Sequence, residues 1–394
     1  MRRVLFDARA HEPPLEKPWA PAEIEAAIRA IARDADAASR AGEWWPVHPL
    51  DTEPGDPDVW HGVYMGAAGM LWALDHLARA GLHEPRHDYP RLAGEVLESY
   101  LSRPEFDGPE PSLWIGEGGI TLVAWLLAPT RALADRLAEI VSVEPANDTL
   151  ELMWGSPGLL LIADAMGERT GEDRWAAAWS AIAERLLRAR GEHVACFWTQ
   201  RLYGSVSENL GPAHGMTGVV AALARRLTPD QLVPGATAAL SATAVREGAY
   251  ANWPPALQEA LVHRRGFIRT QWCHGAPGIV ATMAALPGDD ELDALLLAGG
   301  ELTWAAGPLR KGANLCHGTA GNGYALLKLF TRTGDDVWLE RARRFATHSA
   351  AQVTAARHQY GRGRHGLWTG DIGTAIYLQQ CLAGGSDMPN LDLW

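Results

Sequence analysis

Leu315–Phe330 reads LCHGTAGNGYALLKLF, and Trp272–Leu286 reads WCHGAPGIVATMAAL. Both open on Cys-His-Gly, both place a second glycine three residues after the first, and both continue into an apolar run long enough for a helix. The same Gly-x-x-Gly element recurs along the chain. It is GAAG at Gly66–Gly69, GEGG at Gly116–Gly119, GSPG at Gly155–Gly158, GMTG at Gly215–Gly218, GAPG at Gly275–Gly278, GTAG at Gly318–Gly321 and GDIG at Gly370–Gly373. One such element carries no information. Seven, each followed by an apolar run such as MLWALDHLARA, LLLIADAMGERT or TAIYLQQCLA, define an internal repeat.

The runs after the glycines are apolar almost all round, as expected of helices buried on most sides. Between them lie amphipathic stretches with charges on one face, among them AEIEAAIRAIARDADAAS, TRALADRLAEIV and DDVWLERARRFATHSA. Alternating polar and apolar runs are nearly absent, so strands should be few. The expected unit is outer helix, loop, glycine element, inner helix. Successive elements start 39 to 60 residues apart, too irregular for a uniform solenoid. The spacing fits an all-α toroid, a barrel of seven inner helices shielded by seven outer ones. Glycine at each inner-helix start suits a sharp chain turn and crowded helix ends. No stretch reads as a linker, so residues 1–394 are expected to form one domain.

Composition narrows the function. The chain has 394 residues, 47% of them hydrophobic, which is enough for a large core. Net charge is −12 and no run of Lys or Arg is long enough to track phosphates, so nucleic acid is not an expected partner. No apolar stretch reaches about 18 residues free of charges or glycine clusters, so no membrane span is expected. The N-terminus lacks the apolar core of a secretory leader. With only four cysteines, this points to reduced thiols and a cytoplasmic location. The 17 tryptophans are several times the usual number and are assigned to packing, some of them to the lining of a cavity.

His-Gly occurs five times, at His61, His214, His274, His317 and His365, where 14 histidines and 41 glycines would give about one or two by chance. His214, His274 and His317 open a glycine element directly, so they should converge at one end of the barrel. Cys273 and Cys316 precede two of them at one equivalent point of adjacent repeats. Two thiolates and an imidazole are good ligands for zinc, and three protein ligands leave a fourth position open, the layout of a catalytic site. The alternative is two buried cysteines acting as small hydrophobes; their equivalent placement argues against it. Cys196 and Cys381 lack that context.

WCHGAPG, LCHGTAGNGYALLKLF and AHGMTG resemble the motifs of the LanC family of lanthionine cyclases, and more closely its LanC-like branch found in eukaryotes. The likeness runs from about Trp60 to Tyr377. It implies an α/α toroid with seven inner and seven outer helices. It places one Zn2+ on Cys273, Cys316 and His317, with His274 beside the metal rather than on it. It gives His214 the role of acid/base group. Glu151, four before the third glycine element, matches an acidic position that would orient His214; a helix-terminus charge is the competing reading. Arg269 matches a cyclase arginine that would steady oxyanion charge, against a simple surface ion pair. Lys311 stands where the LanC-like branch has a lysine associated with glutathione, and Arg3 resembles a second such position near the terminus.

The implied chemistry is addition of a thiol to an electron-poor alkene. The thiol is glutathione, or a cysteine of the same peptide as in a lanthipeptide cyclase. The alkene is a dehydroalanine or dehydrobutyrine in a peptide or protein. Lys311, His274 and Glu151 favour glutathione. A non-catalytic zinc and glutathione adaptor would carry the same ligands. Another helical-toroid enzyme, a glycosidase or terpene cyclase, would need paired carboxylates or an acid-rich metal motif, and the sequence offers neither.

Overall fold

A computed structural model describes residues 5–40, 42–52, 55–57, 59–106, 108, 110–143, 150–190, 196–257 and 266–394. Among them are fourteen α-helices that alternate between two layers. The outer layer is α1 (Pro21–Ala38), α3 (Tyr89–Ser102), α5 (Arg131–Ser142), α7 (Asp173–Ala189), α9 (Pro229–Thr243), α11 (Asp290–Ala306) and α13 (Asp336–Tyr360). The inner layer is α2 (Ala67–Arg79), α4 (Glu117–Leu127), α6 (Ser156–Thr170), α8 (Met216–Leu223), α10 (Ala276–Met283), α12 (Thr319–Thr333) and α14 (Asp371–Ala383).

Each inner helix packs on the next, from α2 through α14, and α14 packs back on α2. That contact closes the ring. Outer helices sit in the grooves between inner ones: α11 touches α10 and α12, α13 touches α12 and α14, and α1 touches α14 and α2. The split follows from patterning. All eight residues of α10 are buried. In contrast, α7 buries Trp175, Trp179, Ile182, Ala183 and Leu186, one stripe at helical spacing. Burying each large apolar side chain of such a stripe contributes about 1.5–3 kcal/mol.

The first glycine of every element is the N-cap of its inner helix. The second has a stricter reason. A Cβ on Gly278 would lie 1.7 Å from the Trp272 carbonyl oxygen, and one on Gly321 would lie 1.7 Å from that of Leu315. The approach loop curls under the first helical turn, and only a residue without a side chain leaves room for it.

These approach loops are knitted together. The Cys273 N–H donates to the Cys316 carbonyl (3.0 Å), Cys316 to Trp368 (2.9 Å), Trp368 to Tyr64 (2.9 Å) and Tyr64 to Trp114 (2.8 Å). All five residues stand two before their first glycine. The bonds therefore run around the ring from the fifth repeat through the sixth, seventh and first to the second. Behind them Trp114, Trp272 and Trp368 meet, with centroids 4.3 Å (Trp114–Trp368), 4.4 Å (Trp272–Trp368) and 5.9 Å (Trp114–Trp272) apart. They come from three repeats that are not neighbours, which puts their cluster on the ring axis, fully buried. Tryptophan here plugs the barrel.

Strand content among the described residues is two short hairpins, Gln200–Leu202 with Ser205–Ser207 and Val245–Glu247 with Tyr250–Asn252. No helix among them is long and apolar enough to cross a membrane.

Candidate functional site

The loops that open α8, α10 and α12 lie side by side at the end of the barrel where inner helices begin. Gly211, in the fourth repeat, packs on Cys273, and a Cβ there would sit 2.6 Å from the Cys273 carbonyl oxygen. The buried Asn322 of α12 donates to the Thr270 carbonyl (3.0 Å) and ties the sixth repeat to the fifth. The Asn314 side chain accepts from the His317 N–H (3.0 Å) and fixes the turn that carries Cys316 and His317.

Cys273 and Cys316 are both buried and free, and their thiols lie near enough to perturb each other. The pair splits electrostatically. Donation from Cys316, set against burial, lowers the Cys273 thiol; the Gln271 amide, 3.0 Å from its sulfur, lowers it further. Cys316, which gives the proton, is pushed well above the usual thiol range by that bond and by burial. The nearby Tyr64 hydroxyl works against that rise. Burial, reinforced by the charges of Lys311 and Arg364, lowers the His317 imidazole to about 3.

Two of the three expected metal donors thus meet. Among the described residues, no group of three His, Cys, Asp or Glu that could hold a metal ion is assembled. The Cys273 sulfur instead accepts from the Gln271 amide at 3.0 Å. The donor types still fit zinc. Two adjoining thiols, one of them lowered from the usual thiol range, are followed in the chain by an imidazole lowered to about 3, and neutral imidazole is the form that binds metal.

Glu151 is fully buried. Its carboxylate accepts the N–H groups of Met153 (3.0 Å) and Trp154 (2.5 Å) and lies 2.7 Å from Nδ1 of His214. A carboxylate there holds the proton on Nδ1 and leaves Nε2 of His214 as the nitrogen that takes or gives one. Glu151 and His214 are thus in contact, and the same carboxylate also closes the turn before α6. His214 is 22% exposed, and its charge bears on Cys273. Tyr203 stands edge-on to its ring at 5.9 Å, and Trp154 donates to the Tyr203 hydroxyl (3.2 Å). Phe106 packs on Trp154 at 5.1 Å, so Phe106, Trp154 and Tyr203 form a row of rings that ends on the histidine.

Lys311 is exposed, and its charge reaches Cys273, Cys316 and His317. With Arg362, Arg364, Asn314 and Thr369 it lines a cleft beside the sixth glycine element. His274 is half-buried in a tight turn in which its N–H donates to the Gln271 carbonyl (3.1 Å). Arg269 is exposed at the neck of the same loop. Arg3 lies outside the described residues. Sequence reading missed Tyr64 and Gln271. The signal for Tyr64 was its position, two before Gly66, equivalent to that of both cysteines.

A toroid of seven glycine-capped inner helices with Cys-His pairs at its mouth is the architecture of one protein class. Residues 58–393 match the family described as lanthionine synthetase C-like protein, and the chain belongs to that family. Over 186 residues it is 32% identical to a Danio rerio protein called glutathione S-transferase LANCL1, covering 45% of this chain and 41% of that one. Over 82 residues it is 39% identical to the LanC-like protein GCL1 of Arabidopsis thaliana, covering 20% and 19%. The matched regions span less than half the length of either relative. Among solved structures, nisin cyclase superposes with a TM-score of 0.60 at 16% identity, covering 91% of this chain and 94% of that one. That likeness establishes a shared fold.

Proposed function

We propose that this chain catalyses addition of a thiol, glutathione above others, to dehydroalanine or dehydrobutyrine in a peptide or protein, with one zinc ion held by Cys273, Cys316 and His317. The observation that carries the reading is the meeting of the Cys273 and Cys316 thiols beside the Glu151–His214 pair. Bound there, zinc supplies Lewis-acid chemistry that lets a thiol ionise near neutral pH.

The chain's own residues supply the rest. The exposed Lys311, with Arg362 beside it, offers cations for the carboxylates of an anionic thiol peptide, while Arg364 is already paired with Asp51. His274 flanks the site next to Cys273, and Arg269 and Arg3 are assigned to its mouth. The row of Phe106, Trp154 and Tyr203 receives the unsaturated peptide over His214. The sulfur bonds to the β-carbon while the alkene's electron pair moves to the α-carbon. His214 delivers a proton there from Nε2, and Glu151 compensates the charge that the ring carries before transfer. Thiol and alkene become one thioether, with nothing oxidised or reduced. The name of the zebrafish relative supports glutathione as the thiol.

Cys316→Ala tests the reading. Metal content and adduct formation should fall together. A variant that kept adduct formation while losing the metal would overturn the zinc assignment.

A further inference from the structure

His61, the histidine of the first His-Gly dipeptide, takes no part in the proposed thiol chemistry, yet both its ring nitrogens are engaged. Nδ1 lies 2.8 Å from the Glu105 carboxylate, and Nε2 lies 2.9 Å from the hydroxyl oxygen of Ser99. The His61 backbone N–H donates to the same carboxylate oxygen. A carboxylate can only accept, so it holds the ring proton on Nδ1 and leaves Nε2 to accept from the Ser99 hydroxyl. The three side chains come from the loop that opens α2, the last turn of α3 and the segment that follows α3. The imidazole is fixed edge-on against Tyr100, with centroids 6.0 Å apart at 69°, and the Tyr100 hydroxyl accepts from the Glu110 N–H (3.0 Å). The side chains of His61 and Glu105 are each 2% exposed. The second oxygen of Glu105 is buried with no partner among the described residues. Ser99, by contrast, is only half-buried.

From this arrangement we infer that Ser99 is a nucleophilic serine, activated by His61 and Glu105, that accepts the acyl group of an activated carboxylic ester. A nucleophile within hydrogen-bond reach of a base, and a base oriented by a third group, are the signature of an activated hydroxyl. The order of burial suits that chemistry. The hydroxyl that must meet a substrate reaches solvent, its base stands behind it, and the carboxylate behind the base is shut away from water. In such dry surroundings the Glu105 charge favours the imidazolium that forms when the serine proton moves. Ser99 Oγ attacks the ester carbonyl carbon as its proton passes to Nε2 of His61. The bond from that carbon to the leaving oxygen then breaks, the leaving oxygen takes the proton from His61, and the acyl group stays on Ser99 as an ester. Water then attacks the acyl carbon and gives its proton to the same nitrogen. The bond to Oγ breaks, Oγ recovers that proton, and a carboxylic acid is released, with nothing oxidised or reduced.

The test uses the full chain and a fluorophosphonate probe, which bonds its phosphorus to a serine oxygen and expels fluoride. Peptide mapping by mass spectrometry compares Ser99 with Ser102, an exposed serine of the same helix whose hydroxyl donates to the Ser99 carbonyl (2.8 Å). Ser99 should be labelled about 10²- to 10⁴-fold faster than Ser102, the range that a positioned general base supplies. p-Nitrophenyl acetate should release p-nitrophenol in a burst matched to the chain concentration, leaving an acetyl group on Ser99. Ser99→Ala should abolish the burst, and His61→Gln and Glu105→Gln should slow labelling at Ser99 without changing it at Ser102. A serine that merely pins the loop to α3 would react like Ser102. Labelling of Ser99 no faster than Ser102 in the wild-type chain would overturn the inference without recourse to any variant. An unchanged Ser99 rate in His61→Gln would overturn it as well.

Discussion

His214 lies at the junction of two demands. Its Nδ1 is 2.7 Å from the buried Glu151 carboxylate, and the turn before α6 depends on the same carboxylate through two backbone donors. His214→Gln removes the nitrogen to which the proposed mechanism gives proton delivery, without touching that turn. Turnover should fall about 10²- to 10⁴-fold, with metal content unchanged by elemental analysis. His317 makes a different prediction, set by pH. In the metal-free chain its imidazole is held at about 3, against an ordinary 6.5. Between those values the unfolded chain takes up a proton that the folded chain refuses. The contribution is therefore complete above pH 6.5 and is lost as pH falls toward 3. Thermal midpoints of the metal-free protein should decline over that window, and His317→Gln should flatten the decline.

At the scale of elements, the glycine that lies three residues inside each repeat decides whether an inner helix can start where it does. A Cβ at Gly321 would meet the Leu315 carbonyl oxygen at 1.7 Å and the Trp272 side chain at 3.1 Å. Gly321→Ala should cost about 3 kcal/mol or more, the upper end for overpacking a tight interior, seen as a lowered denaturation midpoint in urea. A substitution at Gly334, which caps the far end of the same helix in open space at φ +68°, should cost less. The same constraint explains why the repeat could be read from sequence. Carbonyl contact through the backbone permits one residue type, so glycine recurs at fixed offset while loop lengths vary. The pairing of Cys273 with Cys316 was legible for that reason too, because both stand at one offset in adjacent repeats. Gln271 was not, because hydrogen bonding to a sulfur leaves no periodic trace; Tyr64 shares the offset of the two cysteines, but it belongs to the first repeat and nears Cys316 only through the closure of the ring. The Glu151–His214 contact has the same character. Its partners come from the third and fourth repeats, and only the folded loops bring them within 2.7 Å.

For the whole molecule, the ring closes at α14 on α2, and its axis is filled by Trp114, Trp272 and Trp368. Trp368 also donates its indole N–H to Asn390 (2.9 Å) and so ties the C-terminal segment to the plug. Trp368→Ala should therefore cost about 3–5 kcal/mol, the range for emptying a buried indole site, and should loosen Tyr64 as well, measured as a lower thermal midpoint with weakened zinc binding. At the end of the barrel where the inner helices begin, five approach loops are bonded in sequence and carry Cys273 and Cys316. The most direct measurement of what that end does is the mass of a dehydroalanine peptide incubated with glutathione and the protein, with and without a zinc chelator. The account predicts a glutathione adduct that forms well above the uncatalysed rate and is lost with the chelator. Adduct formation no faster than in buffer, from a zinc-loaded protein, would contradict it.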